Sequence, residues 1–418
     1  MLAAAAAAIM DIGLDFVSFW EELIEAFNSG GVEAGRALLE RKRDEWKQIP
    51  LNVAVIGRPG VGKSSFINAI RSLTADDKGS ALIGVKETTV DVDHIYPHPS
   101  NPLLKFWDLP GVGTRRFPRQ TYLSDIQVDR FDFFLLITAD RFTEDDTWLG
   151  GEFAERNKKY FFVRTKVGAD IYNNKHAHPK THNEDDVVRD IRESTQEHLK
   201  KNGCENVPVF LIDSYKLNKF DFNELERRLI EDFTKLKKAA LVLSLQATSR
   251  KMISLKVAEL RSRMWKLALL SVLVGPIPVV NRFIDTVIAT KESEFYFTQL
   301  GLDETSLSRY AELTKTNYQN LRTIVDSSFG GFEIQAIIDT CVRSADPMAA
   351  VAVEERLGLR AIPVIGRHIA ASESFGRTYC TLKLVLEKME RVALEVVECA
   401  AESAANVCCD ESDDDDAP

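Results

Sequence analysis

The sequence predicts an α/β fold joined to an all-α part: a doubly wound, mostly parallel sheet, and a helical domain built from N- and C-terminal segments. Between residues 49 and 235, short apolar runs alternate with helical patterns. From about residue 236 the strand patterns stop, while helical spacing continues to about residue 407. The 418 residues are 45% hydrophobic and 28% charged, which is ample for two cores.

Residues 1–48 form the predicted N-terminal helical segment. Its large apolar side chains recur at spacings of three and four: Phe16, Phe19, Trp20, Leu23 and Phe27. Gly30 and Gly31 interrupt this pattern before it resumes at residues 33–46. We expect this segment to pack against the C-terminal helices, because neither could bury its apolar stripe alone.

Residues 49–235 form the predicted α/β domain. Strands are expected at residues 52–56, 92–96, 103–107, 131–138, 160–164 and 207–212. Several are continuous apolar runs, which are typical of strands covered on both faces. Helical patterns at 64–73 and 187–201 lie between them, and this alternation predicts parallel pairing. The helical domain is expected at 236–407 and a disordered acidic tail at 408–418.

Charge and cysteine content exclude several protein classes. The net charge is −10, of which Asp410, Glu411 and the four residues 413–416 supply six negative groups. The chain lacks the basic footprint of a nucleic-acid-binding protein, so no nucleic-acid partner is expected. The six cysteines contain no CxxC pair, which predicts reduced thiols and a cytoplasmic location.

The longest uncharged run, residues 267–280, is too short to cross a bilayer, which takes about 20 residues. Two interpretations remain open for it. It is either a buried helix of the helical domain or a segment that dips into a membrane interface, with Arg261, Arg263 and Lys266 near lipid headgroups.

The sequence GRPGVGKS at residues 57–64 predicts a phosphate-binding loop, since it follows a predicted strand and opens a helix. Glycines let backbone N–H groups turn inward, and a helix N-terminus favours an anion. Lys63 is expected to reach the β and γ phosphates, and Ser64 to bind Mg²⁺. The nucleotide-binding residues predicted here are Gly57, Arg58, Gly60, Val61, Gly62, Lys63, Ser64 and Ser65.

A second motif, DLPG at residues 108–111, ends a predicted strand 45 residues after Lys63. Asp108 is expected to hold Mg²⁺ through water, and the N–H of Gly111 to contact the γ-phosphate. Thr88 and Thr89 lie between the two motifs. A threonine there can bind Mg²⁺ only while the γ-phosphate is present, which would make a switch. The pattern alone does not choose between these two threonines.

The segment expected to read the base is TKVGAD at residues 165–170, directly after the strand at 160–164. In the pattern [N/T]KxD the aspartate accepts the two N–H groups of guanine, but here Gly168 stands at that position. Asp170 could substitute, and Thr165 and Lys166 could still line the base. Ser214 follows the last predicted strand and is placed to touch guanine O6 through its backbone. An adenine nucleotide stays possible on these residues.

Six segments together resemble the immunity-related (interferon-inducible) GTPase family across roughly residues 12 to 400. Four lie in the α/β part: GKSSFINAIR (62–71), FWDLPGVGT (106–114), ADRFTEDD (139–146) and YFFVRTKV (160–167). Two lie in the helical part: IPVVNRFID (277–285) and IPVIGRHIAASESFGRTY (362–379). Lys63 places the chain with the GKS type of that family.

The resemblance implies a Ras-like P-loop GTPase domain with Mg²⁺ as cofactor and GTP and GDP as substrate and product. It implies self-assembly through GTPase domains and peripheral association with intracellular membranes. It also implies Lys63, Glu87 and Thr89 as catalytic residues, with Thr89 as the switch threonine. Ser64, Thr89 and, through water, Asp108 would then hold the metal.

Two departures limit what the resemblance implies. Gly168 replaces the guanine-reading aspartate of the family. Val112 follows Gly111, where small GTPases carry a water-orienting glutamine soon afterwards, and Gln120 is distant. We therefore expect slow intrinsic hydrolysis. The alternative is a nucleotide-gated scaffold with negligible hydrolysis or relaxed base specificity.

Overall fold

The computed structural model describes residues 15–83, 94–113, 115–204, 206–274, 278–329, 338 and 374–410. The predicted catalytic residues Glu87 and Thr89, and Thr88 beside them, lie outside these ranges. So do most of the segment at 362–379 and the acidic tail from residue 411. The chain divides into two compact units. One comprises residues 47–251 with 313–315, and the other the described residues up to Trp46, from Met252 to Glu312 and from Thr316 onward.

The α/β unit contains, within the described residues, one six-stranded sheet in the order β2-β3-β1-β4-β5-β6. Its strands are β1 (Leu51–Gly57), β2 (His94–His98), β3 (Asn101–Pro110), β4 (Phe133–Thr138), β5 (Tyr160–Arg164) and β6 (Val209–Leu211). Only β2 runs antiparallel to its neighbour in this sheet. The predicted fold class, a doubly wound, mostly parallel sheet with a helical part, is therefore confirmed.

Burial explains why the central strands read as continuous apolar runs. All six residues of β4 and all five of β5 are buried. Val55 at the centre of β1 pairs with Asp108 of β3 and Leu135 of β4. In a parallel sheet the carboxyl ends of the strands meet at one edge, where open α/β folds bind ligands.

Seven α-helices of the α/β unit are described. They are α2 (Lys63–Ile70), α3 (Arg119–Asp125), α4 (Glu144–Glu155), α5 (Val167–Ala177), α6 (Glu184–Lys201), α7 (Phe222–Glu231) and α8 (Lys235–Ser244). Helix α6 ends at Lys201 with Asn202 as its C-cap, and Gly203 follows with a φ of +77°. A left-handed glycine just past the last turn is a common helix stop, so the predicted stop at this pair is confirmed.

The other unit contains helices and no strand among the residues that the structure describes. It contains α1 (Asp15–Asp44), α9 (Arg250–Val274), α10 (Pro278–Gln299), α11 (Glu304–Thr314), α12 (Tyr318–Phe329) and α13 (Ser374–Asp410). Gly30 and Gly31 leave helical geometry and kink α1, at the predicted interruption. A short 3₁₀ helix, Glu45–Gln48, follows α1.

The core of the helical unit joins residues from both ends of the chain, as predicted. It consists of Phe19, Leu23, Leu38, Leu39, Trp265, Ala268, Leu269, Leu270 and Phe375. The rings of Phe19 and Trp265 meet edge to face with centroids 4.8 Å apart, a favourable aromatic geometry. Helix α1 thus buries its apolar stripe against α9 and α13.

The first part of the uncharged run at 267–280 lies in this core. Leu267, Ala268, Leu269 and Leu270 are buried, and Ser271 is fully buried. Arg263, one of the candidate headgroup contacts, is also buried and pairs with Glu292 at 3.2 Å. The buried-helix interpretation therefore describes residues 267–271. None of the helices described is long and apolar enough to span a bilayer.

Candidate functional site

The loop between β1 and α2 has the backbone geometry of a phosphate cradle. Gly60 and Gly62 have φ angles of +80° and +95°, a left-handed region that glycine adopts without strain. A Cβ added at Gly57 would overlap the carbonyl oxygen of Ile137 on β4. The loop therefore needs glycine for two reasons, its handedness and its close approach to the sheet.

Lys63 opens α2 and its side chain is buried. Its Nζ donates to the carbonyl oxygens of Gly57 at 2.9 Å and Arg58 at 3.3 Å. Nζ also lies 3.7 Å from Oδ1 of Asp108. A buried charge is tolerated only with such partners. The ammonium is thus held against the loop at the N-terminus of α2, where a phosphate group would be favoured.

Ser64 and Asp108 bring two side-chain oxygen atoms together. The hydroxyl of Ser64 donates to Oδ2 of Asp108 at 3.3 Å, and Asp108 is buried at the end of β3. Mg²⁺ prefers oxygen ligands and usually takes one or two from the protein with the rest from phosphates and water. The donor set fits this ion. The described residues hold no group of three or more His, Cys, Asp or Glu that could bind a metal by themselves.

The DLPG motif contacts the cradle through its backbone. A Cβ at Gly111 would lie 3.2 Å from the backbone nitrogen of Arg58 and from the carbonyl carbon of Gly57. Beyond it, Val112 is buried in the core under the sheet. Gly113 has a φ of +85° and donates its N–H to the carbonyl oxygen of Phe117 at 2.9 Å. The second motif is therefore fixed next to the phosphate loop.

Thr165 and Lys166 tie the loop after β5 to the same cradle. The Thr165 hydroxyl donates to the carbonyl oxygen of Val61 at 2.5 Å and lies 3.1 Å from that of Thr138. Lys166 has a φ of +59°, and its Nζ donates to the carbonyl oxygen of Gly60 at 2.8 Å. Both residues are therefore held against the loop of residues 57–64.

Asp170, the predicted substitute for the missing aspartate, is engaged elsewhere. Its Oδ2 accepts from Nη2 of Arg164 at 2.6 Å, and the Arg164 side chain is only 8% exposed. Burial raises the pKa of Asp170, and the charge of Arg164 opposes that rise. The carboxylate thus neutralises a buried guanidinium on β5. Its role in base reading stays a prediction that this contact does not favour.

The loop after β6 also lies beside the phosphate loop and the helices that follow β1 and β5. Ser214 is half-buried there, and the hydroxyl of Tyr215 lies 3.2 Å from that of Ser65 on α2. Sequence reasoning overlooked Asp213, which is buried directly before Ser214. A Cβ added at Gly168 would overlap its Oδ2. The sequence does contain a signal for this residue, because Asp213 is an acidic residue directly after an apolar strand, at the end of the sheet where ligands bind.

Among the predicted site residues that are described, all lie at this edge of the α/β unit. Arg58 is exposed, and Gly57 and Val61 are buried. Their predicted roles toward nucleotide remain predictions, and Glu87 and Thr89 lie outside the described residues.

Comparison with known proteins identifies the family. The family model described as Interferon-inducible GTPase (IIGP) matches residues 21–342. Mouse Interferon-inducible GTPase 1 is 34% identical over 300 residues, which cover 71% of this chain and 72% of that protein. Rat Interferon-inducible GTPase 5 is 32% identical over 385 residues, covering 90% and 82%. Since the family match extends through both units of the chain, this protein belongs to the interferon-inducible GTPase family.

Proposed function

We propose that this GTPase binds GTP with Mg²⁺ at the loop of residues 57–64 and couples hydrolysis to self-assembly at intracellular membranes. The observation that carries the proposal is the convergence of Lys63, Ser64 and Asp108 beside a glycine-lined backbone. Lys63 would exchange its bonds to loop carbonyls for phosphate oxygens. Ser64 and Asp108 would hold Mg²⁺, which supplies charge neutralisation on the phosphates when it is bound.

The test is Lys63→Ala, measured by calorimetric titration with GDP and GTP. Loss of the buried ammonium should lower affinity at least about 100-fold, because charge-assisted bonds to phosphate are among the strong ones. The control is Lys175→Ala on the exposed part of α5, which should bind like the unaltered chain. Unchanged affinity in Lys63→Ala would end the proposal.

The link to self-assembly rests on the slow intrinsic turnover that we expect of this site. Phosphoryl transfer needs a positioned water and charge stabilisation, yet buried Val112 directly follows Gly111, and Gln120 is exposed on α3. In this proposal Glu87 orients the water once a second GTPase unit docks across the nucleotide. Exposed Arg58 is a candidate for contributing charge there. Turnover per molecule should rise with protein concentration, and a flat dependence would exclude this coupling.

The same observation favours a second function, a nucleotide-gated scaffold. Val112 follows Gly111, and its side chain has no polar group that could orient the attacking water. In this second function the chain would bind GTP and GDP and change conformation without appreciable turnover. Phosphate release at high protein concentration separates the two functions. Release well above that of Lys63→Ala supports the enzyme. Tight GTP binding with release no faster than that variant supports the scaffold.

The membrane role is supported by the family resemblance. Residues 267–271 are buried in the helical unit, so in this conformation they are not the lipid-contacting surface. We expect the protein to associate peripherally. Flotation with liposomes, with and without GTP, is the measurement. Recovery with the vesicles only when nucleotide is bound supports a nucleotide-controlled association, and no recovery under either condition contradicts it.

A further inference from the structure

We propose that Asp213 supplies the guanine-reading carboxylate that the chain lacks at position 168. The proposal rests on the proposed function, since it concerns the base of the GTP held by residues 57–64. It assigns base specificity to the loop after β6 and removes it from Asp170.

The first argument is spatial coincidence. Gly168 is the second residue of α5, directly after Lys166 and Val167. A Cβ built there would overlap Oδ2 of Asp213 and lie 3.3 Å from its Cγ. The carboxylate of Asp213 therefore fills the volume into which a side chain at position 168 would project. A side chain at position 168 and the side chain of Asp213, 45 positions later, therefore could not both occupy this volume.

The sheet explains how Asp213 reaches that place. Strands β5 and β6 are parallel neighbours, with Arg164 paired to Leu211. The pairing continues past the strands: the N–H of Ile212 donates to the carbonyl oxygen of Arg164 at 2.8 Å, and that of Val167 to Ile212 at 3.3 Å. The two loops therefore leave the same edge side by side. Each is also tied to the nucleotide loop or its helix, through Thr165 and through Tyr215.

The state of the carboxylate fits a ligand-binding role. Asp213 is 8% exposed, and buried polar atoms are normally hydrogen-bonded. Within the part of the chain that the structure describes, one donor contacts it, the N–H of Tyr215 at 2.9 Å from Oδ1. That bond fixes the side chain by one oxygen. Oδ2, on the side of Gly168, keeps its capacity to accept.

The chemistry of guanine matches this acceptor. An ionised carboxylate only accepts hydrogen bonds and can take two parallel donors. Guanine presents N1–H and the exocyclic N2 amino group side by side on one edge, whereas adenine carries an acceptor at N1. A buried carboxylate would therefore favour guanine strongly, because adenine would leave it unpaired.

Asp170, the other candidate for reading the base, forms an ion pair within the α/β unit. Its bond to Arg164 neutralises a guanidinium that is 8% exposed. Turning Asp170 toward a base would leave that charge buried without its partner, which is costly. The arrangement therefore gives Asp170 a structural role and Asp213 the recognition role.

The deciding variant is Asp213→Asn, titrated with GTP and XTP in the full chain. Its amide oxygen can still accept from Tyr215, while its NH₂ group replaces Oδ2. Xanthine carries a carbonyl oxygen where guanine carries the N2 amino group, so the amide would donate to xanthine and repel guanine. We expect the ratio of GTP to XTP affinity to fall roughly 100-fold or more. An unchanged ratio would overturn the proposal.

Asp170→Asn is the matched control and should leave that ratio unchanged. A shift toward XTP in that variant, and not in Asp213→Asn, would return the role to Asp170. Failure of the unaltered chain to bind GTP would instead contradict the proposed function and not this assignment.

A rescue experiment covers the case in which Asp213→Asn does not fold. Gly168→Asp alone places two carboxylates in one volume and should weaken GTP binding. Gly168→Asp combined with Asp213→Ala restores a single carboxylate from the other loop and should regain the preference for GTP over XTP. If Asp213→Ala, folded as judged by circular dichroism, prefers GTP over XTP as strongly as the unaltered chain does, the assignment is refuted.

Discussion

At the residue scale, Gly57 shows how closely the phosphate loop approaches the sheet. Any Cβ there would overlap the carbonyl oxygen of Ile137, an atom of a buried strand that cannot move freely. We therefore predict that Gly57→Ala lowers the free energy of unfolding by about 1–3 kcal/mol. It should also weaken GTP binding, because the loop must shift. Urea titration followed by circular dichroism measures the first effect.

Gly151 is the control for that prediction. It lies within α4, and a Cβ there would meet nothing within 4 Å. Gly151→Ala should therefore stabilise the chain, by about 0.4–1 kcal/mol, since alanine reduces the entropy of the unfolded chain. Equal destabilisation by both variants would show that the close approach at Gly57 is not the cause.

Residues differ in how visible their roles are in the sequence. The phosphate loop is local, and its glycines and Lys63 are recognisable because eight consecutive residues carry the geometry. Asp170 was a reasonable candidate by sequence distance from Lys166. Its bond to Arg164 could not be foreseen, since it depends on which way the first turn of α5 points. Asp213 was hidden for a stronger reason, because only the pairing of β5 with β6 brings it to Gly168.

At the element scale, α4 owes its start to a capping box. Thr143 accepts from the N–H of Asp146 at 3.4 Å, and Asp146 accepts from the N–H of Thr143 at 2.8 Å. Losing an N-cap side chain usually costs about 1 kcal/mol. We predict that loss for Thr143→Ala in chemical unfolding. Thr181→Ala, at an exposed threonine before α6, should change stability by less than about 0.5 kcal/mol.

The stability of α4 also affects the segment that follows the DLPG motif at residues 108–111. Asp145, in the first turn of α4, accepts from Nε of Arg119 at 2.5 Å, and a Cβ at Gly113 would overlap its Oδ2. A frayed α4 would therefore loosen the segment after DLPG. A stability loss in Thr143→Ala no larger than that in Thr181→Ala would indicate that packing alone fixes this helix.

Helix α1 offers a neighbouring pair of residues that tests the helical core. Leu23 is fully buried among residues of α9 and α13, whereas Ile24 beside it is 41% exposed. Truncating a buried leucine costs about 2–5 kcal/mol, through lost transfer energy and the cavity left behind. We predict that loss for Leu23→Ala and a much smaller one for Ile24→Ala. Thermal unfolding followed by circular dichroism compares them.

Similar losses from both variants would mean that α1 does not bury its apolar stripe in this way. The pairing of the two chain ends was predictable, because an amphipathic stripe needs a partner. Which side chains meet was not, since the spacing of Phe19 and Leu23 fixes a face but not the residues of α9 opposite it.

At the scale of the whole molecule, the chain forms two compact units, and the segment that forms the α/β unit lies in the sequence between the segments that form the helical unit. The α/β unit uses one continuous stretch plus residues 313–315, and the helical unit uses segments from both sides of it. Composition and periodicity predict this division into strand-containing and helical parts. The residues expected to bind nucleotide, from Gly57 to Ser214, all belong to the α/β unit. Nucleotide binding should therefore act first on the stability of that unit.

This expectation gives a prediction for calorimetric unfolding of the full chain. A ligand that binds only the folded state stabilises it by about 2.7 kcal/mol at 100 times its dissociation constant. Chains with several units often unfold in more than one step. We expect GDP with Mg²⁺ to raise the transition of the α/β unit by several degrees, and Lys63→Ala to abolish that rise. If the full chain instead shows a single transition that GDP raises as a whole, the two units unfold as one cooperative body, and nucleotide binding controls the stability of the helical unit as well.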